Sequence, residues 1–77
     1  MSITVKFFAS LRETIGKADT SLNADTISTT KDVWNAATDN HELIPNMLVA
    51  INMEYANLDE PVKDGDEVAF FPPVTGG

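Results

Sequence analysis

The sequence predicts a single α+β domain in which one main helix packs across one face of a mixed sheet of about five strands. The chain has 77 residues, which is enough for one domain. Hydrophobic residues make up 43% and charged residues 22%, as in globular proteins. The predicted elements run strand, strand, helix and then three strands. A helix laid across one face of a sheet is the economical way to bury such a set.

Two strands and a short helical turn are predicted in the N-terminal third. Apolar and polar residues alternate over 3–7, which is the period of a strand. Residues 10–15 predict one helical turn, with Ser10 as the N-cap and Gly16 at the C-terminal cap. Residues 20–22 have weak strand character, and we expect them to pair back on the first strand.

The main helix is predicted to run through Val33, Trp34 and Ala37. Thr30, with Asp32 close behind, can cap its start, because oxygen acceptors there satisfy free backbone N–H groups. Trp34 is the only tryptophan, and we expect it on the inner face as a core anchor. Stacking on a ligand is the alternative role for this side chain. The polar segment 39–42 ends the helix.

A hairpin and a tight turn follow the helix. Residues 48–51 form an apolar run of strand length, and 52–54 turn the chain into a short return strand that starts at Tyr55. Gly65 can adopt the positive φ that a turn over 63–66 requires.

The last strand is predicted over 67–71, beside the first strand at the centre of the sheet. Its alternation places Val68 and Phe70 on one face of the sheet. Ala69 and Phe71 then lie on the opposite face. This assignment predicts one buried and one exposed phenylalanine at adjacent positions.

Composition excludes several classes of function. Twelve acidic and five basic side chains give a net charge of −7, which repels phosphate backbones and favours a basic protein partner over nucleic acid. The alternative is that the acidic excess only keeps a small domain soluble. The absence of cysteine excludes disulfides, thiolate metal sites and a cysteine nucleophile. No apolar run approaches the ~20 residues of a membrane span, and no signal-peptide pattern is visible, so we expect a cytoplasmic location and no membrane partner.

No motif predicts an internal catalytic, cofactor or metal site. His41 is the only histidine, and it lacks the companions of a catalytic triad or a zinc site. Carboxylates at 59–60 and 64–67 lack the spacing of a calcium loop and are expected to be turn residues on a solvated acidic face. The chain contains no nucleotide-binding or nucleophile-elbow motif. The distinctive group that remains is the terminal carboxylate of Gly77.

The last residues predict that this carboxylate is presented to a partner. Two consecutive prolines after Phe71 deny the sheet a donor and end the strand. We therefore divide the chain into a globular domain, residues 1–71, and a tail, residues 72–77. Gly76 and Gly77 allow close backbone approach, and six extended residues reach about 20 Å, enough to enter a cleft. A frayed terminus is the alternative.

Several segments resemble one family closely: Phe7-Phe8-Ala9, Leu11-Arg12-Glu13 with Gly16, Ala50-Ile51-Asn52, and the final fourteen residues from Asp64 to Gly77. Together they resemble the small subunits of molybdopterin synthase, the MoaD family of ubiquitin-like sulfur carriers. The resemblance covers most of the chain, is weakest from Asp19 to Met47 and is most specific over the final fourteen residues. It implies the β-grasp fold.

The resemblance also implies a chemistry. An enzyme of the ubiquitin-activating type would adenylate the Gly77 carboxylate with ATP, and the adenylate would be converted to a thiocarboxylate. The tail, with Thr75 and Gly76, would enter the large subunit of a two plus two heterotetramer. There the sulfur would pass to cyclic pyranopterin monophosphate for molybdenum cofactor biosynthesis. The small subunit would donate sulfur without a catalytic site or cofactor of its own.

Partner contacts are implied residue by residue. Arg12 matches a position that contacts the activating enzyme. Phe8, Tyr55 and Phe71 match apolar interface positions on the outer sheet face, although Tyr55 departs from the aliphatic residue usual there. Ordinary core packing is the alternative role for Phe8 and Phe71. Three alternatives stay open: a thiamine-pathway sulfur carrier, a ubiquitin-like protein modifier conjugated to lysines, and a β-grasp interaction domain with an inert tail.

Overall fold

A computed structural model describes residues 2–73 of the chain. The elements follow in this order: β1 Ser2–Phe7, α1 Ser10–Ile15, β2 Asp19–Asn23, a 3-10 turn Ala24–Thr26, α2 Thr30–Ala37, β3 Leu48–Ile51, β4 Glu54–Ala56 and β5 Glu67–Phe71. All the predicted strands and helices are present. Within the described residues, neither helix is long and apolar enough to cross a membrane. The division at residues 71 and 72 stays a prediction.

The five strands form one mixed sheet in the order β2-β1-β5-β3-β4. β1 and β5 are parallel neighbours, with Val5 opposite Val68 and Phe7 opposite Phe70. The other pairings are antiparallel. β5 therefore lies at the centre beside β1, as the sequence predicted.

The core lies between one face of this sheet and α2. Its fully or nearly buried apolar residues are Ile3, Val5, Phe7, Leu11, Val33, Trp34, Ala37, Val49, Val68 and Phe70. Trp34 is at the centre, with its ring edge-on to Phe7 at 6.1 Å and to Phe70 at 5.1 Å between centroids. The Trp34 indole N–H donates to the His41 carbonyl at 2.8 Å, so burial leaves this donor satisfied. The prediction that Trp34 anchors the core is confirmed.

The N-cap of α2 is Thr29, so the prediction of Thr30 is wrong by one residue. The Thr29 hydroxyl accepts from the Asp32 backbone N–H at 3.3 Å, and the Asp32 carboxylate accepts from the Thr29 N–H at 3.1 Å. This reciprocal pair is a capping box. Thr30 is instead fully buried, and its hydroxyl donates to the Asn57 carbonyl at 2.6 Å. The spacing of Thr29 and Asp32 is the sequence signature of a capping box, which the prediction overlooked, whereas the residue three positions after Thr30 is Val33 and cannot complete one.

The start of α1 also differs from the prediction. Ser10 is the first helical residue, and the N-cap is Ala9, which makes no side-chain capping bond. Ala9 has φ 52° and ψ −129°, and the Leu11 N–H donates to the Phe8 carbonyl across it at 3.1 Å. The chain therefore enters α1 through a tight turn. Gly16 ends the helix at φ 87°, which confirms the predicted C-terminal cap.

Candidate partner-binding face

The face of the sheet opposite α2 is the candidate site, and we call it the outer face. Strand register aligns one row of its residues across all five strands: Asp19, Lys6, Ala69, Ala50 and Tyr55. On the β2 and β1 side the row is charged. On the β5, β3 and β4 side it is apolar, which divides the outer face into a polar and an apolar half.

The apolar half contains a groove of about 270 Å³, the outer groove, lined by Phe8, Ala50, Met53, Tyr55, Glu67, Ala69 and Phe71. Ala50 and Ala69 are paired in register, and their small side chains leave a depression between larger neighbours. Apolar side chains that line an exposed concave surface are typical of protein interaction sites. The groove contains three of the four residues that the sequence predicted as partner contacts.

Phe8 and Phe71 stack on one another at one end of the groove. Their ring centroids are 4.8 Å apart and their planes differ by 8°. The stack forms because the Phe8 N–H donates to the Phe70 carbonyl at 3.1 Å, which extends the β1–β5 pairing by one residue. Phe8 is still 41% exposed, so the pair presents an aromatic surface to solvent. Phe71 is half-buried on the face opposite Phe70, as the alternation predicted.

Tyr55 and Met53 form the opposite end of the groove. Tyr55 is 78% exposed and lies across from Ala50 in the β3–β4 pair. Met53 is 93% exposed at the tip of the same hairpin. Sequence reasoning assigned Met53 to a turn and missed it as a surface residue of the site. A bulky apolar residue in a turn was the available signal.

Arg12 and the tail stand apart from this groove. Arg12 is exposed on α1, one turn beyond Phe8, and is not among the groove-lining residues. Thr75, Gly76 and Gly77 lie outside the described residues. The chain leaves β5 at Phe71, which lines the groove, so the residues that follow start beside the Phe8–Phe71 stack.

The charged groups near the groove have structural partners. Lys6 Nζ lies 3.6 Å from a Glu67 carboxylate oxygen, an exposed pair that contributes little to stability. Asp66 is buried, although the sequence predicted a solvated acidic face. One of its carboxylate oxygens accepts from Asn52 Nδ2 at 3.0 Å, and the other accepts from the Lys63 backbone N–H at 2.9 Å. Within residues 2–73, no three acidic or histidine side chains are grouped to hold a metal ion.

Comparison with known proteins gives a consistent result. The model of a protein family described as the ThiS family matches residues 5–77. The molybdopterin synthase sulfur carrier subunit of Escherichia coli K12 is 42% identical over 80 residues, which cover 97% of this chain and 99% of that protein.

Solved structures agree in fold. The crystal structure of SAMP1 from Haloferax volcanii has a TM-score of 0.77 and 34% identity, with both chains fully covered. A complex of subunits 1 and 2 of molybdopterin-converting factor from Helicobacter pylori has a TM-score of 0.67 and 26% identity, again with both chains fully covered. These matches confirm the ubiquitin-like β-grasp fold that the sequence predicted.

Proposed function

Because this chain belongs to the ThiS family, we propose that it serves as the sulfur carrier subunit of a molybdopterin synthase. The observation that supports this function most directly is 42% identity to a sulfur carrier subunit over 97% of the chain. The family likeness predicted from the tail and the Leu11-Arg12-Glu13 segment is confirmed by the same match and by the family model. The proposal includes the cytoplasmic location expected from the sequence.

The proposed chemistry takes place on Gly77. A carboxylate is a poor acyl donor, so its oxygen first attacks the α-phosphorus of ATP and releases pyrophosphate, which gives an acyl adenylate. A sulfide-level donor then displaces AMP and leaves a thiocarboxylate, whose sulfur is nucleophilic. Two observations support Gly77 as the carrier: the family model matches through this residue, and the chain has no cysteine on which sulfur could travel.

The same proposal assigns two partners. The large subunit of the synthase covers the outer groove at Phe8, Tyr55 and Phe71, and in its active site the sulfur passes to cyclic pyranopterin monophosphate. The exposed apolar surface of the groove supports this docking. Arg12, exposed on α1, contacts the adenylating enzyme. We propose a two plus two heterotetramer in which the carrier supplies sulfur and the large subunit supplies the catalytic pocket.

Deletion of Gly77 tests the carrier function. Wild type incubated with the adenylating enzyme, ATP and a sulfide-level donor should gain about 16 mass units as one oxygen is replaced by sulfur. The truncated chain should show the wild-type melting curve and no such gain. Lys31→Ala, a change on the exposed side of α2, is the control and should be loaded like wild type. Full loading of the truncated chain would rule out the proposal.

A second candidate function is protein modification. It is favoured by the match to SAMP1, small archaeal modifier protein 1 of Haloferax volcanii, which is 34% identical to this chain. Conjugation of Gly77 to lysines would give a ladder of higher-mass adducts in a lysate blotted for this chain. A thiamine-pathway carrier would instead be loaded with sulfur but would fail to support molybdopterin formation by the large subunit.

A further inference from the structure

The tip of the β3–β4 hairpin places a methionine where the turn favours glycine. Asn52 and Met53 form a two-residue loop between Ile51 and Glu54, with φ of 50° and 72°. Positive φ at both positions defines a type I′ turn, for which Asn-Gly is the preferred pair. Asn52 follows this preference and Met53 does not. An unbranched side chain with a Cβ in the left-handed region costs folding free energy.

Exposure adds to this cost in the isolated chain. Met53 is 93% exposed, so its apolar side chain gains almost nothing from packing within the described residues. Glycine at this position would remove both the backbone strain and the exposed apolar surface. The stability of the isolated chain therefore does not account for a methionine at position 53.

Asn52 holds the hairpin tip against the start of β5. Its backbone N–H donates to the Glu67 carbonyl at 2.8 Å, and its side-chain oxygen accepts from the Glu67 N–H at 2.9 Å. Its side-chain amide donates to the buried carboxylate of Asp66 at 3.0 Å. These three hydrogen bonds fix the backbone next to Met53. Less backbone entropy is therefore lost when a partner binds at the hairpin tip.

Met53 also lines the outer groove, on the opposite side from the Phe8–Phe71 stack. We propose that Met53 is a contact residue for the large subunit of molybdopterin synthase, which presents an apolar side chain to the groove and buries the methionine. This inference rests on the proposed function. A partner surface that covers the Phe8–Phe71 stack and extends across the groove also reaches Met53. The unbranched thioether side chain of methionine adapts to irregular apolar surfaces.

Two substitutions and a matched control test the inference. Met53→Gly removes the side chain and suits the turn, whereas Met53→Leu keeps an apolar side chain. Asn46→Gly is the control, because Asn46 is also exposed at positive φ (62°) but does not line the groove. The measurements are the melting temperature of each full-length variant, its Kd, by titration calorimetry, for the large subunit and for the adenylating enzyme from the same organism, and its self-association by analytical ultracentrifugation.

Met53→Gly should melt at or above the wild-type temperature and bind about tenfold more weakly, a loss of about 1.4 kcal/mol. Met53→Leu should bind within about threefold of wild type, and Asn46→Gly should bind like wild type. Opposite signs in folding and binding distinguish a contact residue from a structural one.

Four results would overturn the inference. If the wild-type chain does not bind the large subunit, the proposed function fails and the inference fails with it. If wild type binds and Met53→Gly binds equally well, the inference alone fails. A marked fall in melting temperature would show that Met53 stabilises the monomer. A loss confined to the adenylating enzyme, or to self-association of the chain, would assign the residue to a different occupant.

Discussion

Alanine substitutions at two adjacent phenylalanines of β5 test whether the outer groove binds a partner. Phe70 is fully buried, with its ring centroid 5.8 Å from that of Phe7 and 5.1 Å from that of Trp34. Phe71 points to the opposite face and stacks on Phe8 at 4.8 Å. Alanine substitutions at the two positions should therefore separate folding from binding.

Phe70→Ala should lower the free energy of unfolding by about 3–5 kcal/mol, because it leaves a cavity among the core aromatics. A domain of this size has a total stability of about 4–12 kcal/mol, so this loss is a large fraction of it. Phe71→Ala should cost the isolated chain only about 1 kcal/mol, the order of one aromatic pair. In binding to the large subunit it should cost roughly 2 kcal/mol or more, about thirtyfold in Kd.

Urea denaturation and titration calorimetry measure the two effects on the same samples. Trp34 is the only tryptophan and is buried, so its fluorescence reports unfolding directly. If Phe71→Ala destabilised the monomer as much as Phe70→Ala, the assignment of faces would be wrong. If Phe71→Ala folded normally and bound the large subunit like wild type, the outer groove would not be the docking surface.

Two further predictions concern the tail and the helix cap. Gly76→Val keeps the carboxylate, length and charge but narrows φ/ψ and adds bulk, so we expect normal folding and sulfur delivery from preformed thiocarboxylate slowed at least about tenfold. Wild-type turnover would show that the active site of the large subunit does not discriminate at that position. Thr29→Ala removes half of the capping box and should lower stability by about 1 kcal/mol in urea, with unchanged delivery at a temperature where the variant is folded. An unchanged urea midpoint would mean that the box contributes nothing.

Features that depend on local periodicity could be predicted from the sequence. The alternation over 67–71 correctly assigned Phe70 to the core and Phe71 to the outer face, because successive side chains in a strand point in opposite directions. Gly16 and Gly65 adopt the positive φ expected of them, at 87° and 89°. Phe8, Tyr55 and Phe71, which the family resemblance implied as partner contacts, all line one groove, and their contact with a partner stays a prediction.

Features that depend on contact between distant segments were decided by the tertiary structure. The burial of Thr30 is one example, because its hydroxyl donates to the carbonyl of Asn57, 27 residues away. The burial of Asp66 follows from hydrogen bonds to Asn52 at the hairpin tip and to the backbone of Lys63, and the place of Met53 in the outer groove follows from the pairing of β3 with β5. Periodicity determines which way a side chain points from its own strand. Which side chains it then meets depends on strand order and register, and these are set by packing over the whole chain.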